Sequence, residues 1–361
     1  MGNTFSCFNE CLQEGGDISP QLLLGCKTII GKGLVWDDAK NSLLWIDVEG
    51  KKLWIYEYEN KIHRSIDLEE RPGAFTLLDT GLAVLVALER RLVRVDLVSG
   101  KAETVLNFDR NVTLPTARPN DGRVDRQGQR LLLGLNQTVW APARRGDARQ
   151  RGDATGLFSV GGTAGTAAGG KGKIAFESLL ETPLPCLDGL AFDSKGTTMY
   201  LCVAARREIH AFGYHPATGA LSGRRLFHRL RPEERGFPSG AACDAQDHLW
   251  SCRCVAGQVV RHAPGTGAVT LVVDLPVANP TALAFGGPGL ADLFVITSRV
   301  DDALPQDAAA AAHHAPSAGG LFHARLGSGP GGLRGLPEPR LRPDTALALA
   351  ARSSEDQCTL S

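Results

Sequence analysis

Gly33-Leu34-Val35-Trp36-Asp37, followed after a short break by Leu43-Leu44-Trp45-Ile46-Asp47, opens a pattern that the chain writes six times. Each copy is a Gly, an apolar stretch, an Asp or a turn, and a second apolar strand. Further copies start at Gly73, Gly122, Gly189 and Gly240. The sixth is Thr281-Ala282-Leu283-Ala284-Phe285, followed by Leu293-Phe294-Val295-Ile296, with Thr281 one place before the glycine-equivalent position. Successive copies lie 40, 49, 67, 51 and 42 residues apart. Repeats of about 40–50 residues built from hairpin text are the blades of a propeller. The expected fold is therefore all-β, a six-bladed β-propeller with a short N-terminal extension and a C-terminal tail.

The segments between the copies agree. Leu43–Val48, Leu53–Tyr58, Arg91–Leu97, Glu208–Gly213, Gln258–His262 and Ala268–Asp274 are short, rich in β-branched or aromatic residues, and bounded by turn residues. That is strand text, and no amphipathic helical period runs through the repeats, which excludes a helical solenoid. Residues 1–19 form the extension, 20–340 the propeller and 341–361 the tail. The long interval is explained by a loop insertion at about 143–173, which carries Arg-Arg-Gly-Asp text and a Gly/Ala/Thr run around a strand at Leu157–Val160. An Ala-rich loop at 303–318 holds His313 and His314, read as solvated.

Composition excludes several functions. The 39 basic and 39 acidic residues sum to zero, and no basic run interleaves with aromatics, so nothing steers the chain toward nucleic acid. No apolar run approaches the roughly 20 residues of a membrane span. The N-terminal stretch has no signal-peptide hydrophobic region, and nine cysteines at scattered positions fit reduced thiols, so a cytoplasmic monomer is expected. Cys252 and Cys254 alternate beside Trp250 and are read as small buried residues rather than a metal clip.

The innermost strand of each blade lines a propeller's channel, so the residue before the repeat glycine has an equivalent place in every blade. Those residues are Lys32, Pro72, Asp121, Asp188, Ser239 and, one place shifted, Thr281. Around Asp121 the text is Arg118-Pro119-Asn120-Asp121-Gly122. Polar residues at a symmetric inner position of apolar repeats point to a ligand site.

The chain resembles the senescence marker protein (regucalcin)/gluconolactonase family of six-bladed propellers over roughly residues 20–340. The carriers are Gly31-Lys32-Gly33-Leu34-Val35-Trp36, Arg118-Pro119-Asn120-Asp121-Gly122-Arg123-Val124-Asp125 and Leu187-Asp188-Gly189-Leu190-Ala191-Phe192. Gly236-Phe237-Pro238-Ser239-Gly240, Asn279-Pro280-Thr281 and Gly335-Leu336-Pro337-Glu338-Pro339 add to them. The resemblance implies hydrolysis of a sugar lactone at one divalent cation (Ca²⁺, Zn²⁺ or Mg²⁺) in the channel mouth. It implies a Glu, an Asn and an Asp as ligands, and an Arg-x-Asn-Asp segment facing substrate. That segment stands here as Arg118, Asn120 and Asp121. The ligand positions read Lys32 for the Glu, Asp188 for the Asn and Ser239 for the Asp.

Those substitutions carry a physical expectation. A hard cation needs acceptor oxygens, and an ammonium has three donors and no acceptor. Two unit charges about 4 Å apart interact by about 4 kcal/mol at an effective dielectric near 20, so a divalent ion beside Lys32 is opposed by about 8 kcal/mol. The Lys32 ammonium is expected to take the cation's place and pair with Asp188 and Asp121. Three functional readings follow. One is a divergent lactone hydrolase, either metal-free or with a cation moved onto Asp121, Asp188 and Asn120. In it Lys32 stabilises the oxyanion and Asp188 or Asp121 is the base. Another is a propeller without turnover that binds a sugar acid through Arg118 and Asn120. The third is a membrane-attached interaction scaffold. Met1-Gly2-Asn3-Thr4-Phe5-Ser6-Cys7 fits N-myristoylation at Gly2 with Cys7 as a second acylation site, and Cys358-Thr359-Leu360-Ser361 fits a prenylation box.

Overall fold

The computed structural model describes residues 18–108, 117–137, 156–162, 174–180, 184–299, 315–327, 332–342 and 345. They form six four-stranded antiparallel sheets, with only two single-turn 3₁₀ segments, Ala204–Arg206 and Pro288–Leu290, among them. The six innermost strands are Gly31–Asp37, Pro72–Leu77, Ala117–Val124, Leu187–Phe192, Phe237–Cys243 and Pro280–Gly286. Each begins a blade and each is one of the six sequence copies. The strand at Leu157–Gly162, inside the long interval, supplies the third strand of blade 3.

Two local demands explain the pattern. The repeat glycine lets the next blade come close: a Cβ at Gly73 would lie 1.9 Å from the Pro119 carbonyl oxygen. At Gly189 it would lie 2.2 Å from the Ser239 oxygen, and at Gly240 2.4 Å from the Thr281 oxygen. The repeat Asp caps the turn that ends the inner strand. Asp125 accepts from Gln129 N (2.7 Å), Asp193 from Thr197 N (2.7 Å) and Asp244 from Gln246 N (2.9 Å).

Six apolar layers, one between each pair of neighbouring blades, hold most of the core. Leu44, Ile46, Phe75 and Val86 belong to the layer between blades 1 and 2. Leu43 and Trp45, on the same strand, belong to the layer between blades 6 and 1. Middle strands are thus buried on both faces, so they read as continuous apolar runs instead of alternating ones.

Two ends close the ring. The sixth copy contributes three strands, and its fourth is the N-terminal strand Gln21–Leu24, antiparallel to Leu321–Arg325. At the far end of the channel the segment 333–342 crosses between blades. Gly335 N donates to Leu290 O, Leu341 N to Leu77 O and Arg342 N to Gly128 O. Arg340 bonds Asp37 and Arg126 bonds the Pro337 carbonyl. Leu341, where the tail is expected to begin, is fully buried in the layer between blades 2 and 3.

Candidate functional site

All six inner strands carry a β-bulge at or within two residues of the repeat-glycine position. The register shifts between Lys32 and Val35, Pro72 and Ala74, Pro119 and Asp121, Asp188 and Leu190, Pro238 and Ala241, and Pro280 and Ala282. A bulge bends the strand and re-aims a side chain. Repeated around a ring, it gathers the pre-glycine residues at one end of the channel, the mouth.

Three of the expected residues meet there. Lys32 Nζ lies 2.6 Å from Asp188 Oδ2, with both side chains buried. Ser239 Oγ donates to the same Oδ2 at 3.0 Å and lies 3.2 Å from the Thr281 carbonyl oxygen. Asp188 Oδ1 accepts from the Gly189 N–H at 3.0 Å. Burial alone would depress the Lys32 amine. The charge and hydrogen bond of Asp188, with the Asp121 charge behind them, outweigh it and hold the amine above its ordinary value.

Asp121 shares a narrow cleft with Lys32, Arg123, Gly240 and Thr281. Its Oδ1 accepts from Gly122 N (2.8 Å) and its Oδ2 from Leu190 N (3.2 Å). Burial, then the Asp188 charge, push its carboxyl up to about 6 against the pull of Lys32 and Arg123. No direct Lys32–Asp121 bond forms; Lys32 pairs with Asp188. Asn120 Nδ2 donates to the Leu187 carbonyl at 2.9 Å, and an Arg118 guanidinium nitrogen lies 3.2 Å from the Pro119 carbonyl oxygen. Both side chains are buried.

Two further residues contribute that the ring pattern does not mark. Arg123 lines the cleft and pairs at 3.5 Å with Glu338 of the crossing segment. Its signal is a charge at the place after the repeat glycine, where other copies carry Leu34, Ala74, Leu190 and Ala241. Asn136, on the second strand of blade 3, accepts from Leu187 N at 2.8 Å and left no signal. Cys252 and Cys254 are buried. Gly2, Cys7, Cys358, His313 and His314 lie outside the described residues.

Residues 30–299 match the model of the family described as the SMP-30/Gluconolactonase/LRE-like region. Regucalcin of Xenopus laevis is 25% identical over 269 residues, which are 74% of this chain and 83% of that protein. A pentonolactonase of Haloferax volcanii is 34% identical over 123 residues, 34% of this chain and 41% of that protein. Among solved structures, a calcium-binding regucalcin of Agrobacterium tumefaciens superimposes with a TM-score of 0.73 at 22% identity, over 90% of this chain and 98% of that one.

Proposed function

Because the chain belongs to the SMP-30/gluconolactonase/LRE-like family, we propose that it hydrolyses a sugar lactone in the channel mouth with the Lys32 ammonium in place of a divalent cation. The observation that carries this reading is the 2.6 Å pair of Lys32 and Asp188 in the mouth. These residues do not fit a divalent cation. Lys32 offers no acceptor and occupies the carboxylate that an ion would need. Charge balance supports the same reading. A divalent ion with one Glu and one Asp, the set the resemblance implies, sums to zero, as does Lys32 with Asp188.

The chemistry then falls to this chain's own groups. A Lys32 N–H donates to the lactone carbonyl oxygen and stabilises the oxyanion that forms there. Asp121, whose raised carboxyl is half-ionised near pH 6, takes a proton from water as its oxygen bonds to the carbonyl carbon. The ring C–O bond breaks, the leaving alkoxide takes that proton from Asp121, and the product is the open hydroxy acid. Asp188, held by Lys32, Ser239 and the Gly189 amide, is the fixed counter-ion rather than the base.

Lactone hydrolysis assayed with and without chelator tests this. Turnover that survives chelation and vanishes in Lys32→Ala is expected. Turnover that requires added metal, or a stoichiometric divalent ion in the purified protein, overturns it. Acylation at Gly2 and Cys7 and prenylation at Cys358 belong to the same proposal, through the sequence motifs alone, and the mass of the native protein's end peptides tests them.

A further inference from the structure

We propose that Asn136 is a positioning residue for the Lys32–Asp188 pair, acting through the main chain of the neighbouring blade; this rests on the role given above to that pair.

The peptide units on either side of Leu187 immediately precede Asp188, and two asparagines of blade 3 grip them. Asn136 Oδ1 accepts from Leu187 N at 2.8 Å, and Asn120 Nδ2 donates to Leu187 O at 2.9 Å. Asn136 Nδ2 also reaches the Cys186 sulfur at 3.6 Å. Cys186 has φ +53°, a left-handed conformation unusual for a residue with a side chain. Such a conformation is unfavourable and persists only where surrounding contacts over-determine it. Asn136 bonds to both the strained residue and the residue after it.

The strain has a visible consequence. The chain turns at Cys186, enters the inner strand at Leu187, and reaches the bulge at Asp188 one residue later. Asp188 therefore inherits its aim from a residue, Leu187, whose N–H and C=O are both fixed from another blade. The ladder of blade 4 does not supply these bonds. They come from amide side chains, one on the inner strand and one on the second strand of blade 3. Without the Asn136 acceptor the Leu187 N–H loses its partner and the Cys186 conformation loses its support. The Asp188 carboxylate then moves relative to Lys32 Nζ.

Misplacing a reacting group by about 1 Å can cost about a hundredfold in rate. Asn136→Ala is expected to lower kcat at least about tenfold with KM nearly unchanged. Asn136→Asp keeps an acceptor toward Leu187 N and is expected to restore most of kcat. A second readout needs no turnover: the ¹⁵N-detected ammonium signal of Lys32, visible while the group is buried and paired, is expected to broaden in Asn136→Ala and to persist in Asn136→Asp. If the unsubstituted protein hydrolyses no lactone, the proposed activity fails while the ammonium signal still decides the role of Asn136. Should the Ala variant not fold, Asn136→Leu keeps the volume without the acceptor and the same signal is read on it. An unchanged Lys32 signal in a folded Ala or Leu variant overturns the proposal.

Discussion

Lys32 and Asp188 are 156 residues apart along the chain, and their charged atoms lie 2.6 Å apart in the channel mouth. They sit on the inner strands of blades 1 and 4 of six, so the pair spans the channel. Removing one partner of a buried pair leaves an uncompensated charge and costs about 3–5 kcal/mol. Lys32→Met is expected to lose stability on that scale by thermal or denaturant unfolding. The double variant Lys32→Met/Asp188→Asn should regain most of it, yet remain without lactone turnover. A single variant as stable as the unsubstituted protein would contradict the pairing.

Asp121 gives a pH dependence with two opposite limbs. Its folded carboxyl is raised from the ordinary value of 3.8 to about 6. A raised carboxyl favours the folded state fully below its unfolded value, and that contribution is lost as pH rises through about 6. In the proposed reaction Asp121 acts in its ionised form, so turnover is expected to fall as pH drops below about 6. A pH–rate profile checks the second limb. Asp121→Asn should remove turnover and flatten the Asp121 contribution to stability between about pH 4 and 6.

A pair of imidazoles between blades 4 and 5, His262 buried and His228 half-buried, is expected to make the ring acid-sensitive. The His228 and His262 rings are 4.5 Å apart, and both Nδ1 atoms approach the Gly267 carbonyl, at 3.1 and 3.3 Å. Burial first, and the neighbouring His228 second, depress His262 to about 3. A depressed histidine contributes stability that is present above its unfolded value of 6.5 and lost as pH falls toward 3. From pH 7 to 5 this residue alone accounts for about 2 kcal/mol. Denaturant midpoints at the two pH values should differ accordingly, and His262→Asn should shrink the difference.

Gly73→Ala tests the spacing between blades. Its Cβ would sit 1.9 Å from the Pro119 carbonyl oxygen and 2.3 Å from the carbonyl carbon. Both belong to backbone in the next blade's inner strand, which cannot rotate away. Overpacking commonly costs 1–3 kcal/mol, and here about 3 kcal/mol or more is expected in unfolding experiments. Gly25→Ala, where a Cβ meets nothing within 4 Å, serves as the control and should change little.

The six blades are written into local sequence. The glycine that admits the next blade and the Asp that caps the turn are local needs, and each blade must meet them again with its own residues. Asp125, Asp193 and Asp244 cap turns for that reason, and Gly73, Gly189 and Gly240 touch the neighbouring strand for that reason. The pre-glycine ring was legible on the same grounds. Which ring members meet depends on the assembled ring. A bulge turns Lys32 to Asp188 rather than to Asp121, and sends Asn120 to the Leu187 carbonyl. It also took closure of the ring to bring the strand Gln21–Leu24 onto blade 6, and Leu341 onto blade 2. These contacts join residues separated by more than half the chain in several cases, and no periodicity encodes them. They follow from which side chain a bulged backbone turns inward once six separate strands share one axis.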